Sequence, residues 1–252
     1  MARITVGILA GNNEDIIGEC LESAAWADER LVILDDRSTD RTAKIARGLG
    51  ARVVRSRFCD FAQQRNVGLE QTRTEWLFYL DSDERTTPAL GEEIRTRISE
   101  GECAGWWVPR RNYIWGKETR YGGWYPDYQL RLLRVEKARY DPQRRVHEVV
   151  LLNGPEGYLK EHLLHENYTS MSQFLTKQQQ YVDLEAHIRL QEGVRPRLRH
   201  LVTQPLKEFW RRYVRLEGYR DGWHGFKLCA LVAYYYGFLV TLRLMRLRRT
   251  EA

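Results

Sequence analysis

The sequence predicts an α/β fold: a mainly parallel sheet flanked by helices, followed by a helical extension. Three observations predict it. Short apolar runs alternate with helical patterns through the first hundred residues, shorter strands rich in aromatics and glycine follow from Gly105 to about Leu164, and the pattern turns helical after His165. Strand–helix alternation at this spacing means βαβ units and parallel pairing. One domain is therefore expected over residues 1–168, in halves of about 1–100 and 101–168, with an extension over 169–252.

The elements follow in order. Ile4–Leu9 reads as a strand, and Asp15–Ala25 as a helix with Ile16, Ile17, Cys20, Leu21 and Ala24 on one face. Leu31–Leu34 is the next strand, and Thr39–Leu49 a helix opened by Ser38 or Thr39 and closed by Gly50. Arg52–Arg55, Ala62–Gln71 and Trp76–Leu80 continue as strand, helix and strand. Thr87 then caps a helix with Pro88 at its first position, running to about Ser99. Beyond His165, Ser170 or Ser172 caps a long amphipathic segment ending near Gly193, and helices follow over about Pro205–Leu216 and Gly225–Arg248. No internal repeat or low-complexity tract interrupts them.

At 43% hydrophobic and 29% charged, the chain has material for a core and an ordinary surface, which excludes disorder. Cys20, Cys59, Cys103 and Cys229 lie far apart, with no CxxC pair. That spacing fits neither a metal finger nor a disulfide framework and suggests a reducing compartment. MARITVGILAGNNED lacks a charged region followed by a long apolar stretch, so no secretory signal is expected. Between Arg189 and Arg249 stand 14 Lys/Arg against 4 Asp/Glu, while the whole chain carries only +6. The basic character thus belongs to the C-terminal quarter and asks for an anionic partner there.

The chemistry concentrates at strand ends. In open parallel sheets ligands bind beyond the carboxyl ends of the strands. Asp35-Asp36 and Asp81-Ser82-Asp83 sit at two such ends. Two carboxylates one residue apart suit a hard divalent ion, Mg2+ or Mn2+, with phosphates completing the shell. A polar turn or helix cap would use the same residues, but capping needs only one Asp and the doublet at 35–36 is in excess. Two acidic tips facing one crevice repel each other unless a cation or ligand donors lie between them.

LAGNNEDIIGECLESAAWADE, LVILDDRSTDRT and FAQQRNVGLEQTRTEWLFYLDSDE, in that order and spacing, resemble the N-terminal half of family 2 glycosyltransferases with the GT-A fold, a Rossmann-like, mostly parallel sheet. GWWVPRRNYIWGK, YGGWYPDYQLRLLR, RVHEVV and LLHENY resemble the bacterial branch that adds glucose to the lipopolysaccharide inner core. The resemblance covers about residues 4–170. It implies that Ala10 and Glu14 lie along the nucleotide and that Asp35 or Asp36 accepts a bond from the uracil or ribose; which of the two stays open. It implies that Arg65 and Asn66 face the diphosphate and sugar. Asp83 would be the principal metal ligand, with Asp81 nearer the donor ribose or sugar and also a candidate ligand, and His147 would complete metal or diphosphate coordination.

An inverting transfer also needs a carboxylate that takes the proton of the attacking hydroxyl. Asp127 matches the family's catalytic acidic position, and neighbours Trp124, Tyr125 and Tyr128 would desolvate it and offer sugar-stacking faces. Arg131, four residues on, would share its strand face and either bind phosphate oxygens or hold Asp127. His165 matches a recurrent histidine of the branch without an evident role. His162, His187, His200 and His224 fall in no constellation. Two departures stand out: Arg37 interrupts the small tract expected after the strand-2 acid, and Asn12-Asn13-Glu14 replaces a Lys/Tyr-Asn-Glu loop.

Leu228–Leu242 carries no charge over fifteen residues and is bracketed by Lys227 and by Arg243, Arg246, Arg248 and Arg249. It falls short of the roughly 20 residues of a spanning helix, and Tyr234-Tyr235-Tyr236 suit headgroup depth. An in-plane interfacial helix is expected. Upstream, Trp210 and Tyr213 interleave with Lys207, Arg211, Arg212 and Arg215, each basic residue adding on the order of 1 kcal/mol beside an anionic leaflet. A buried core or dimer helix is the competing expectation, and a homo-oligomer stays open. No nucleic-acid motif accompanies the charge.

The expected function is thus transfer of a hexose, glucose from UDP-glucose first, to a lipopolysaccharide inner core or similar lipid-linked glycan, by a cytoplasmic protein peripheral on the inner membrane face. The same chemistry on capsule, exopolysaccharide or polyprenyl phosphate is the alternative, as is a non-catalytic binder of nucleotide sugars.

Overall fold

The computed structural model describes residues 2–142 and 149–250. In chain order the elements are β1 (Ile4–Ala10), α1 (Ile17–Ser23), β2 (Glu29–Asp35), α2 (Thr42–Gly48), β3 (Arg52–Ser56), α3 (Phe61–Gln71), β4 (Trp76–Asp81), β5 (Glu84–Arg85) and α4 (Pro88–Glu100). Then come β6 (Gly105–Ile114), β7 (Lys117–Thr119), β8 (Asp127–Arg134), β9 (Ala138–Tyr140), β10 (Val150–Leu152), β11 (Glu156–Tyr158) and β12 (Leu163–Tyr168). Helices α5 (Met171–Gln191), α6 (His200–Trp210), α7 (Gly222–Val232) and α8 (Val240–Thr250) complete the chain.

The chain divides into two compact units, one of residues 1–110 and 127–165, the other of 111–126 and 166–252. The segment 111–126, expected with the acceptor half, thus packs with the helices. In the first unit β3, β2, β1 and β4 pair in parallel. Leu31–Leu34 of β2 and Trp76–Leu80 of β4 are buried without alternation, as strands covered on both faces must be. Beyond β4 the pairing turns antiparallel, β4 with β8 and β8 with β6. The sheet is therefore mixed, with β11 pairing in parallel on the other edge of β6.

Most boundaries follow the expected chemistry. Thr87 Oγ1 accepts the Leu90 N–H at 3.1 Å, Pro88 opens α4 and Gly101 closes it at φ 69°. Ser170 caps α5. Three boundaries differ. Helix α1 starts at Ile17, because the chain from Asn13 first makes a turn in which Asn13 O accepts the N–H groups of Ile16 and Ile17. Helix α2 starts at Thr42, since Ser38 Oγ donates to Gly11 O at 3.1 Å and Asp40 Oδ1 takes the Thr42 N–H at 3.0 Å instead. Helix α6 begins at His200 and carries Pro205 inside it.

In the second unit, the helical run Gly218–Thr250 is long and apolar enough to cross a membrane, yet half of its most apolar window is buried. Leu228, Val232, Tyr235, Val240 and Leu244 lie in clusters with Phe174, Val182 and Ala186 of α5. Residues 228–242 therefore form a core helix of this unit. The face packed on α5 is taken up by this core rather than by a membrane, while half of the window stays outside the core; Tyr234 alone of the three tyrosines is exposed.

Candidate active site

The register of the parallel strands gathers the acids. Ala10 pairs with Leu34 and Leu9 with Asp81, so the ends of β2 and β4 flank the end of β1. A cavity of about 370 Å³ lies there, lined among others by Ala10, Asp35, Phe58, Phe61, Ser82 and Asp83, with Asp81 at its floor.

The loop after β1 is tied to the start of α2. Glu14 accepts the Arg41 N–H at 2.9 Å and Arg41 Nε at 3.1 Å, and Asn12 Oδ1 accepts the Thr39 N–H at 3.0 Å. The Arg41 backbone N–H and then its guanidinium hold Glu14 below its ordinary pKa. Glu14 thus faces α2, whereas Ala10 faces the cavity. Asp35 is gripped by Arg37, Nη2 to Oδ2 at 2.8 Å and Nε to Oδ1 at 3.1 Å, which lowers its pKa to about 2. Asp36 is exposed outside the cavity, its backbone bonded to Ser56 and Arg55.

Asp81 is the hub of an ion network. Arg65 Nη2 donates to Oδ1 at 3.1 Å, Arg131 contacts both carboxylate oxygens, and the Asp81 N–H donates to Glu84 Oε2 at 2.9 Å. Burial opposes the charge on Asp81, but Arg131 and then Arg65 outweigh it and hold the carboxyl far below the usual range. Arg65 and Arg131 are buried, and Arg65 lies over the Tyr79 ring at 5.1 Å. Glu84, fully buried, takes Arg110 Nη1 at 3.0 Å and lies 3.5 Å from Arg131. Three arginines thus face three acids, Asp81, Glu84 and Asp127, and cancel the repulsion that clustered acids would suffer.

Cross-strand register fixes the remaining partners. Arg110 of β6 stands directly opposite Asp127 of β8, where side chains meet. Its Nε and Nη2 reach Asp127 Oδ2 at 2.9 and 2.6 Å, and Gln129 Nε2 donates to Oδ1 at 2.9 Å. Burial works against the Arg110 charge, but Glu84 and Asp127 more than offset it and raise its pKa. His165 of β12 pairs with Glu84 of β5, which brings its Nε2 to 3.6 Å from Asp83 Oδ2. Asp83 itself is more than a third exposed.

Asp83 and His165 would supply two donors toward a divalent cation shell. Mg2+ and Mn2+ are held by one or two carboxylates plus substrate phosphates. Asp83 offers oxygen and His165 a ring nitrogen, while both oxygens of Asp81 already hold arginine. Among the described residues no three His, Cys, Asp or Glu side chains converge, so phosphate oxygens would have to supply the rest.

The model of the family described as glycosyl transferase family 2 matches residues 5–150. A lipopolysaccharide core biosynthesis glycosyltransferase, LpsC of Rhizobium meliloti, is 32% identical over 97% of this chain and 93% of its own length. The chain belongs to glycosyl transferase family 2. An uncharacterized glycosyltransferase of Rickettsia bellii is 22% identical over 98% of this chain and 86% of its own. Among solved structures, S. aureus TarS is 14% identical over 88% of this chain and 46% of its own, with a TM-score of 0.44. Glucosyl-3-phosphoglycerate synthase from Mycobacterium tuberculosis is 22% identical over 45% of this chain and 44% of its own, with a TM-score of 0.37. The chain spans under half the length of these two solved proteins, and likenesses of that size carry no functional argument.

For this family 2 glycosyltransferase, related to a lipopolysaccharide core enzyme and built on the GT-A fold, several sequence expectations meet other partners. Arg131 does not hold Asp127; it lies further along the same strand face, buried under Asp81, and Arg110 takes its place. The apolar enclosure expected for Asp127 is replaced by the guanidinium of Arg110. Tyr128 instead turns to Tyr158 at 5.2 Å, which stacks on Trp107 at 6.2 Å. Asn66 does not face the cavity: its amide donates to Tyr140 O and accepts the Tyr140 N–H, each at 2.9 Å, and pins β9 to α3. His147 lies outside the described residues. Glu84, Arg110 and Phe58 carry no motif of their own; strand register reveals the first two, and the loop between β3 and α3 brings Phe58 to the cavity.

Proposed function

We propose that this glycosyltransferase passes a hexose, glucose from UDP-glucose first, to a lipopolysaccharide inner core or similar lipid-linked glycan with inversion. The observation that carries the proposal is the link between the two halves of the site: Asp127 is tied through Arg110 and Glu84 to the turn that presents Asp83. The uracil lies against Phe58 and Phe61, whose rings stand 5.0 Å apart edge to face, with Asp35, which lines the same cavity, accepting a bond from base or ribose. Asp83 and His165 would hold Mg2+ or Mn2+ together with the diphosphate. The ion, when bound, neutralises charge on the departing UDP.

Asp127 accepts the proton of the acceptor hydroxyl as that oxygen bonds to the anomeric carbon and the bond to UDP breaks. Arg110 and Gln129 fix the carboxylate for that step. A second cavity of about 290 Å³, lined by Trp107, Gln129, Arg131 and Glu156, lies on the Asp127 face of β8 and suits the acceptor sugar. Such an acceptor is lipid-linked, so the protein works as a cytoplasmic protein peripheral on the inner membrane face. The test is a donor screen: purified protein with Mn2+ and a detergent-solubilised core acceptor, offered UDP-glucose, UDP-galactose, UDP-N-acetylglucosamine and GDP-mannose. UDP release from UDP-glucose above the others is expected; release from none defeats the proposal.

A further inference from the structure

Helix α6 has no buried residue, although the residues on its inner side are packed. Pro205 meets Gly237 so closely that a Cβ on Gly237 would stand 2.4 Å from the Pro205 Cα. Phe209 packs on Tyr213 and Phe226, and Arg212 Nη1 donates to Gly122 O at 2.9 Å. That orientation leaves the other side to solvent, and its composition is unusual. Val202, Leu206 and Trp210 on α6 and Val214 just beyond it are 62%, 63%, 57% and 46% exposed, one apolar residue at every fourth position. Leu198, 70% exposed in the turn just before the helix, adds a further apolar side chain. Residues four apart share a helix face, so Val202, Leu206, Trp210 and Val214 form one stripe. Beside it runs a second row at the same spacing, Lys207, Arg211 and Arg215, all exposed. Trp223, 68% exposed and stacked flat on Phe226 at 4.9 Å, adds a second indole against the helix.

We propose that this outer face of α6, from Leu198 to Val214, is the surface by which the protein docks onto an anionic lipid bilayer. A helix lying in the bilayer plane inserts aliphatic and indole side chains below the headgroups while Lys and Arg reach the phosphates. The two rows supply both parts. Nucleic acid would engage the basic row but leave Val202, Leu206 and Val214 without a role. A second copy paired through the same face would set basic row against basic row. The proposal gives residues to the membrane reading of the preceding section and stands independently of the sugar chemistry.

Full-length protein is sedimented with vesicles of phosphatidylcholine alone or mixed equally with phosphatidylglycerol. Wild type is expected to partition at least tenfold better onto the anionic vesicles, and the gain is expected to vanish at high salt. Leu206→Glu with Trp210→Glu should lose at least tenfold on anionic vesicles, with circular dichroism and UDP-sugar hydrolysis in solution unchanged. Lys207→Gln, Arg211→Gln and Arg215→Gln together should remove the preference for the anionic lipid. Equal binding to both vesicle types overturns the proposal. So does wild-type partitioning by the glutamate variant, or a wild-type dimer that this variant dissociates without loss of vesicle binding. Preferential binding of DNA, abolished by the glutamine variant alone, also overturns it. Wild type that binds the anionic vesicles yet hydrolyses no UDP-sugar counts against the catalytic proposal instead.

Discussion

Arg110 and Asp127 face each other across β6 and β8, and Arg110 spends its remaining Nη1 on the fully buried Glu84. One guanidinium therefore joins the candidate base to the turn carrying Asp83. A carboxylate held from two sides by fixed donors needs no reorganisation when it accepts a proton, and that is the kind of pre-positioning catalysis rewards. Asp127→Asn should lower kcat by about 10²–10⁴ and change UDP affinity by less than about twofold; equal loss of both would show that Asp127 serves binding.

Arg110→Ala probes the same pair from the other end. Removing the cation makes the ionised carboxylate harder to keep, so the acidic limb of the kcat–pH profile should move to higher pH. A purely structural Arg110 would lower stability without moving that limb. Arg110→Lys should restore only part of kcat, because an ammonium cannot reach Asp127 and Glu84 with a planar fork.

Asp81 gives a pH dependence of stability with a definite sign. Its folded pKa is depressed below the ordinary 3.8, so its contribution is complete above that value and drains away as the pH falls toward the folded pKa. Asp81→Asn leaves Arg65 and Arg131 buried with a weakened partner, and should cost on the order of 3 kcal/mol at neutral pH. Urea titrations at pH 7 and pH 3 check this: the gap between wild type and variant should narrow at the lower pH.

Chelation is expected to stop transfer, and Asp83→Ala should abolish Mn2+ binding measured by calorimetry in the presence of UDP. His165→Ala should weaken that binding by about 10–100-fold. Unchanged Mn2+ affinity in both variants would remove the cation from this turn.

The strand ends were legible because a parallel strand covered on both faces reads as an unbroken apolar run. LVIL and WLFYL announce themselves, and the acids that follow then stand at carboxyl ends. Partners across strands were not legible. Arg110 lies in β6 and Asp127 in β8, and nothing local indicates that register sets them opposite each other. The same limit hid the partner of His165, which meets Asp83 only because β12 pairs with β5. Arg131 misled for a related reason: strand period placed it on the face of Asp127, but the distance along that face puts it under Asp81. The apolar run at 228–242 fits a membrane and a core equally well by composition, and only the packing of Tyr235 and Val240 on α5 separates them.

Gly237 tests the packing that turns α6 outward. The atoms a Cβ would meet, the Pro205 N and Cα, are backbone and cannot rotate aside, unlike a side chain end. Gly237→Ala must therefore push α6 away, at a cost of about 1–3 kcal/mol typical of overpacking. Gly101, at φ 69° with open space around it, offers the contrast: Gly101→Ala meets no atom and should cost only about 1 kcal/mol from its left-handed backbone. Thermal denaturation of the two variants distinguishes crowding from backbone strain. If Gly237→Ala melts no lower than Gly101→Ala, α6 is not wedged against this glycine, and its outer stripe is not held facing solvent by that contact.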